Sequence, residues 1–135
     1  MRSNKGFSLV ELIIVIAIMA VLIGVLAPQY MKYVTNARVS TDVANAEELA
    51  RAFGIEIADG LITSGAYSGA SGEECTDLVN IEAWPVIERK SGLSWNVEVD
   101  KTGVKLIEII DGANHDRVFP NPDDSDGYYT KYHVK

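Results

Sequence analysis

The sequence is poor in the residues that build most catalytic or disulfide-stapled domains. Cys75 is the only cysteine, so no disulfide can form within the chain, and we expect it to be a small, semi-buried side chain. His115 and His133 are the only histidines and lack a second ligand set, which argues against zinc. The serines and threonines have no His/Asp framework, and there is no glycine-rich phosphate loop. We therefore predict no enzyme, no catalytic or metal-ligating residue and no cofactor.

Positive charge is also scarce. The 135 residues include 12 Lys and Arg against 19 Asp and Glu, a formal net charge of −7. The basic residues form no obvious cluster along the sequence, whereas nucleic-acid binding needs a basic patch that releases counterions. We expect no sequence-specific binding of nucleic acid.

The acidic run Asp123, Asp124, Asp126 is the one feature that invites a metal, because calcium prefers clustered carboxylates. The EF-hand spacing fails, since Pro122 stands where the first ligand belongs and no glutamate follows at the twelfth position. A solvated turn is the favoured interpretation, and calcium binding stays open.

Hydrophobic residues, by contrast, are concentrated near the N-terminus. A short basic leader precedes Phe7, and residues 7–27 would span roughly 31 Å as a helix, close to the ~30 Å hydrocarbon core of a bilayer. The basic leader predicts a cytoplasmic N-terminus and a C-terminal domain on the outer side. The chain is predicted to cross the cytoplasmic membrane once.

Glu11 is the exception within this apolar stretch. An ionisable group in hydrocarbon costs at least ~2.5–3.5 kcal/mol on insertion scales, so it is kept only where it has a partner or a function. An ordinary signal anchor would explain the length and orientation of the segment, but not Glu11. A cleaved signal peptide fits less well, because no polar region follows the small-residue pattern at 17–20.

Two short motifs resemble the type IV prepilin family and its pseudopilin relatives. Lys5-Gly6-Phe7-Ser8-Leu9-Val10-Glu11-Leu12 resembles the prepilin processing site, and Ala27-Pro28-Gln29-Tyr30 resembles the Pro-Gln-Tyr turn of major pilins. The resemblance covers about the first forty residues. It implies cleavage between Gly6 and Phe7 by a prepilin peptidase, and N-methylation of Phe7 by the same enzyme.

The cut would give Glu11 a partner. In a bundle of identical helices offset by a few residues, the new ammonium at Phe7 can meet the Glu11 carboxylate of a neighbour. Such a pair is a weak net stabiliser, because both charges must be desolvated. Its value is register, since any other stagger leaves a charge unpaired in an apolar environment. Methylation keeps the charge of the amine.

Gly24 and Pro28 lie near the end of the apolar stretch. Proline removes a backbone donor and clashes with the preceding turn, so we predict a kink or a locally unwound stretch just before Pro28. The family resemblance implies melting there in filaments.

The remaining chain predicts an α+β head. A helical pattern continues to residue 58 and ends at Gly60, giving one long N-terminal helix with a transmembrane half and an amphipathic half packed on a small antiparallel sheet. Residues 60–75 are expected to be a connection, and a short helix is expected within 76–89. The predicted strands are 94–100, 104–110 and 128–134, the first two joined by a turn at 101–103 and the last preceded by a polar loop at 111–127.

These features predict three parts: a leader at 1–6, a transmembrane and polymerisation helix at 7–29, and a globular head at 30–135. The favoured function is a structural subunit of a type IV pilus that serves adhesion, twitching motility or DNA uptake. The partners expected are identical subunits in a helical homopolymer, the prepilin peptidase/N-methyltransferase, the assembly machinery of the cytoplasmic membrane and, before assembly, lipid. A surface filament would be the final location. The alternatives are a major pseudopilin of a type II secretion or competence system, or a signal-anchored extracellular binding domain that does not polymerise.

Overall fold

One long helix forms most of the first 58 residues of the chain. In this computed structural model, which describes residues 5–125 and 127–135, helix α1 runs from Leu9 to Ala58. Four strands and a short helix follow: β1 (Gly65–Ala70), β2 (Ser94–Asp100), β3 (Gly103–Asp111), β4 (Asn114–Phe119) and α2 (Tyr128–Tyr132). The chain divides into two compact units, Met1–Val34 and Thr35–Lys135.

The second half of α1 packs through a narrow stripe. Its buried residues recur at alternating spacings of three and four, which places them on one face of the helix. They are Val39, Asp42, Ala46, Leu49, Phe53 and Glu56. Four of these six are apolar and join the core, while the two acids are buried with them.

The strands form an antiparallel meander in the order β1-β2-β3-β4. Alternate residues of the central strands enter the core, including Trp95 and Val97 on β2 opposite Ile109 and Ile107 on β3. One face of the sheet is therefore apolar, as expected for a sheet covered on one side. The α+β prediction, with a long helix on a small antiparallel sheet, is confirmed, as is the β2–β3 hairpin.

The first outer strand was missed. Residues 65–70 were predicted as connection, but they form β1, which pairs with β2 from Gly65↔Val99 to Ala70↔Ser94. Small residues gave no apolar alternation there. Gly69 has a packing reason, because a Cβ at this position would overlap the indole of Trp84.

Three further expectations were wrong. Residues 76–89 form no helix but an irregular segment, whose N–H groups donate hydrogen bonds to side chains of α1. The predicted loop 111–127 contains β4, whose polar residues fit a strand at the edge of the sheet. The predicted strand 128–134 is instead α2 and a short tail, fixed by side-chain bonds to α1 and β4 rather than by strand pairing.

The tail returns to the start of the head. The Asn36 side-chain amide donates to the carbonyl of Val134 at 2.9 Å, and the Val134 N–H donates to Asn36 Oδ1 at 2.7 Å. The C-terminal tail is thus bonded to α1, although the two are far apart in sequence.

Candidate functional site

The predicted cleavage site lies in an exposed, non-helical stretch. Lys5 to Ser8 adopt no regular secondary structure, and α1 begins at Leu9. Gly6 is exposed, and the Phe7 side chain is 93% exposed. The Gly6–Phe7 bond is therefore accessible and lies outside regular secondary structure.

Ser8 and Glu11 form a reciprocal pair at the first turn of α1. The N–H of Ser8 donates to Glu11 Oε2 at 2.9 Å, and the N–H of Glu11 donates to Ser8 Oγ at 3.2 Å. This is a capping box, which satisfies two backbone donors that the helix itself leaves unpaired. Sequence reasoning missed it, although Ser-x-x-Glu before an apolar run is its signature.

The first part of α1 presents apolar side chains all round. Every large apolar side chain from Phe7 to Leu26 is at least 51% exposed within the chain. Among the described residues, α1 is the helix that is long and apolar enough to cross a membrane. Glu11 is the only charged residue between Phe7 and Met31, so this surface can be covered by lipid or by other apolar helices.

Gly24 and Pro28 are one helical turn apart. Helix α1 continues through both residues. Proline has no N–H for the carbonyl four residues before it, which here belongs to Gly24. The predicted kink at this pair stays a prediction.

Asp42 is a buried hydrogen-bond acceptor on α1. Its carboxylate accepts hydrogen bonds from the N–H of Glu88 at 2.6 Å and of Arg89 at 3.2 Å, and from Tyr128 Oη at 2.5 Å. Burial raises the pKa of the Asp42 carboxyl, and these hydrogen bonds with the nearby Arg89 charge offset part of that rise. Burial and the adjacent Asp42 also raise the pKa of Tyr128.

Arg89 completes this cluster. Its Nε donates to Tyr128 Oη at 3.1 Å, and its guanidinium lies 3.9 Å from the ring centroid of Tyr132. The cation–π contact and the hydrogen bond join the irregular segment to α2. Asp42, Arg89, Tyr128 and Tyr132 thus tie α2 to α1 without a disulfide.

Glu56 performs the same task fourteen residues later on α1. Its Oε1 accepts from the N–H of Val79 at 2.9 Å, and from the N–H and side-chain amide of Asn80 at 2.7 and 2.9 Å. Each end of the irregular segment 79–89 is therefore fixed to a buried carboxylate of α1. These residues shape the head, and nothing in their geometry indicates catalysis.

The remaining sequence candidates lie apart from one another. His115 Nδ1 is 3.1 Å from Glu108 Oε2, whereas the His133 ring stacks on Tyr129 with centroids 4.6 Å apart. Cys75 is buried as a free thiol. Asp124 bonds to Arg117 Nη2 at 3.0 Å, and Asp126 lies outside the described residues. Among the residues that the structure describes, no three His, Cys, Asp or Glu side chains are placed to hold a metal ion.

An N-terminal helix that is long and apolar enough to cross a membrane, followed by a small α+β head, is the architecture of a pilin-like protein. Comparison with known proteins narrows this class. The sequence pattern described as the prokaryotic N-terminal methylation motif matches residues 1–27.

Curated relatives extend the match into the head. The type IV major fimbrial protein FimA of Dichelobacter nodosus is 32% identical over 74 residues, covering 55% of this chain and 47% of that protein. A fimbrial protein of Neisseria meningitidis serogroup B is 29% identical over 110 residues, covering 82% and 52%. FimA of D. nodosus strain VCS1703A is 33% identical over 123 residues, covering 87% and 74%. This chain belongs to the type IV pilin family.

The chain spans about half the length of the first two relatives. No solved structure matches it significantly. The methylation motif and the fimbrial relatives confirm, at the level of the family, the resemblance inferred from residues 5–12 and 27–30.

Proposed function

We propose that this protein is a structural subunit of a type IV pilus, polymerised through its N-terminal helix. The observation that carries the proposal is the exposed apolar surface of α1, which has a single carboxylate four residues after the proposed new N-terminus. An apolar surface of this size needs a cover, first lipid and then identical helices. The fimbrial relatives support a structural rather than an enzymatic role.

The proposal includes three parts of the chain and their processing. Residues 1–6 act as a leader, residues 7–29 as the membrane and polymerisation helix, and residues 30–135 as the head. A prepilin peptidase/N-methyltransferase cuts between Gly6 and Phe7 and methylates Phe7, while the N-terminus is on the cytoplasmic side. Assembly machinery in the cytoplasmic membrane then moves the subunit into a surface filament.

Mass spectrometry of the N-terminal peptide tests the processing step. The expected mature chain begins at Phe7 and carries one methyl group on its amine. A chain that begins at Met1, or after Ala20, would contradict the proposal, because the membrane segment must remain attached to the head.

The register step is tested by Glu11→Ala. Membrane insertion should stay intact or improve, since a costly charge is removed from the apolar segment. Filament yield in sheared surface material should fall sharply, because the neighbour's ammonium loses its partner. Glu47→Ala is the matched control, since Glu47 is an exposed carboxylate on the same helix. Wild-type filament yield from Glu11→Ala would refute the register argument.

A pseudopilin is the second candidate, because it shares every N-terminal feature. Electron microscopy with an antibody against residues 60–135 separates the two. Long labelled surface filaments are expected for a pilin, and labelled membranes without filaments would favour a pseudopilin or an anchored domain.

A further inference from the structure

Ser8 lies between Phe7 and Glu11, the two residues that the proposed assembly would pair. It follows Phe7, whose amine the cut would create, and it shares two hydrogen bonds with Glu11. The structure thus puts one small polar residue between the two groups whose pairing would set the register of assembly.

The capping box restricts Glu11 both at its backbone and at its carboxylate. The backbone N–H of Glu11 is bound to Ser8 Oγ, and its carboxylate Oε2 is bound to the N–H of Ser8. A glutamate side chain is otherwise free to sample many rotamers, and fixing them during association weakens binding. A carboxylate already held in place avoids that loss.

The box does not occupy the carboxylate fully. A carboxylate has about four acceptor positions on its two oxygens. Within residues 5–125 and 127–135, the Ser8 N–H is the donor to Glu11, and it uses Oε2. Glu11 is also exposed on the isolated chain. An ammonium from a second copy can therefore bind Glu11 without breaking the box.

We propose that Ser8 is a positioning residue for assembly: its capping box with Glu11 holds the carboxylate ready for the Phe7 ammonium of a second copy of this chain. This inference rests on the proposed function. The box also gives the carboxylate a donor while the single chain is still in lipid, where an unpaired charge is costly.

Three substitutions at Ser8 separate positioning from simple helix capping. Ser8→Ala removes both the cap and the hydroxyl, Ser8→Thr keeps both, and Ser8→Gly keeps most of the capping stability but has no hydroxyl to accept from the Glu11 N–H. All three variants keep the backbone N–H that donates to the Glu11 carboxylate, so they test whether the second bond of the box is needed to hold it. The readout is the ratio of subunit in sheared filaments to subunit in the membrane. Mass spectrometry of the N-terminal peptide checks processing in each variant.

For Ser8→Ala we expect this ratio to fall roughly fivefold, the factor that corresponds to about 1 kcal/mol for the lost hydrogen bond between Ser8 Oγ and the Glu11 N–H. Ser8→Gly should fall by a similar factor, and Ser8→Thr should stay near wild type. The amount of membrane-inserted, processed chain should be the same in all four proteins.

A Ser8→Gly ratio at the wild-type level would overturn the inference, because Ser8 would then act only as a helix cap. So would an unchanged Ser8→Ala, or a Ser8→Ala whose main defect is loss of inserted chain. The Glu11→Ala experiment keeps the two proposals apart. If Glu11→Ala assembles normally, the register argument itself fails. If Glu11→Ala fails and Ser8→Ala assembles, only the role of Ser8 is lost.

Discussion

The head contains carboxylates that are almost completely buried. Asp42, Glu56 and Asp116 are 0%, 1% and 3% exposed. Each binds donors from another segment, and Asp116 accepts from Lys131 Nζ at 2.5 Å and Tyr132 Oη at 2.7 Å. The pKa of Lys131 is raised, mainly by its hydrogen bond to Asp116 and to a smaller extent by a hydrogen bond with Tyr132. A buried charge is tolerated when donors satisfy it, as they do here.

Tyr128→Phe tests the Asp42 cluster. The change removes the hydroxyl that donates to Asp42 and accepts from Arg89, and it leaves a buried carboxylate with one donor fewer. We expect the free energy of unfolding to fall by about 1–3 kcal/mol. Urea unfolding of the full chain in detergent, followed by tryptophan fluorescence, measures it. Tyr129→Phe is the control, and equal effects of the two changes would contradict the special role of Tyr128.

Asp100 gives a pH-dependent prediction. Its carboxylate accepts from Thr102 Oγ1 at 2.6 Å and from the Thr102 N–H at 2.7 Å, and with Lys105 nearby these bonds lower its pKa from 3.8 to about 2. Because the folded pKa is lowered, the stabilisation from ionised Asp100 is present above pH 3.8 and is lost as the pH falls through about 2.

Thr102→Val removes the hydroxyl donor but keeps the backbone N–H. The pKa of Asp100 should therefore rise towards its usual value, which a carbon-detected NMR titration of the side-chain carboxyl can follow. Thr130→Val, which alters a distant hydroxyl bonded to the Asp123 carbonyl, serves as control. An Asp100 titration that is the same in wild type and Thr102→Val would show that the hydroxyl has no such effect.

At the scale of elements, the irregular segment 76–89 stands where the sequence predicted a short helix. It depends on polar side chains of α1: Asp42 and Glu56 accept from its N–H groups, and Asn45 Nδ2 donates to the Val86 carbonyl at 3.1 Å. A segment without its own regular hydrogen bonds must satisfy its backbone elsewhere. Here one face of a helix does so.

Glu56→Gln tests this dependence. A neutral amide accepts hydrogen bonds less strongly than a carboxylate, and its NH₂ group would face the donors of Val79 and Asn80. We expect a loss of about 1.5–3 kcal/mol in unfolding free energy, with faster hydrogen exchange at the amides of Val79 and Asn80. The exposed Glu47→Gln should change neither quantity. Unchanged exchange in Glu56→Gln would mean that other contacts hold the segment.

The elements differ in how far the sequence predicts them. The β2–β3 hairpin was predictable, because apolar alternation on both sides of a turn is a local pattern. The N-terminal motif was predictable for the same reason, since residues 5–12 carry it in one stretch. β1 is built from small residues, and β4 buries Asp116 where an apolar residue would have marked the alternation. Those elements depend on partners distant in sequence.

The buried acids of α1 had a signal that was overlooked. Asp42 lies three residues after Val39, and Glu56 lies three after Phe53, so both continue the spacing of the buried stripe. Charged residues of an amphipathic helix normally face solvent, so the sequence pattern alone did not predict that these two acids are buried. Their partners, Tyr128 and the amides of 79–89, could not be identified without the tertiary structure.

At the scale of the whole molecule, stability should be independent of calcium. Asp124 is already paired with Arg117, so a calcium ion bound to this carboxylate would be repelled by the neighbouring guanidinium charge. A true site at a hundredfold excess over its Kd would add about 2.7 kcal/mol. We expect the melting temperature of the full chain in detergent to differ by less than about one degree between millimolar calcium and chelator. A clear stabilisation that Asp124→Ala abolishes would contradict this expectation and favour calcium ligation.

The meeting of Asn36 and Val134 has a mechanical consequence. If neighbouring chains are joined through residues 7–29, a pulling force reaches the head along α1, near Asn36. Val134 is fastened to Asn36 at that same point by two hydrogen bonds. The four strands pair with one another in a single sheet, so we expect tension along α1 to reach its buried stripe, Val39 to Glu56, before it reaches the strands. Extension is left to the helix, where the Gly24 carbonyl already lacks a donor from Pro28.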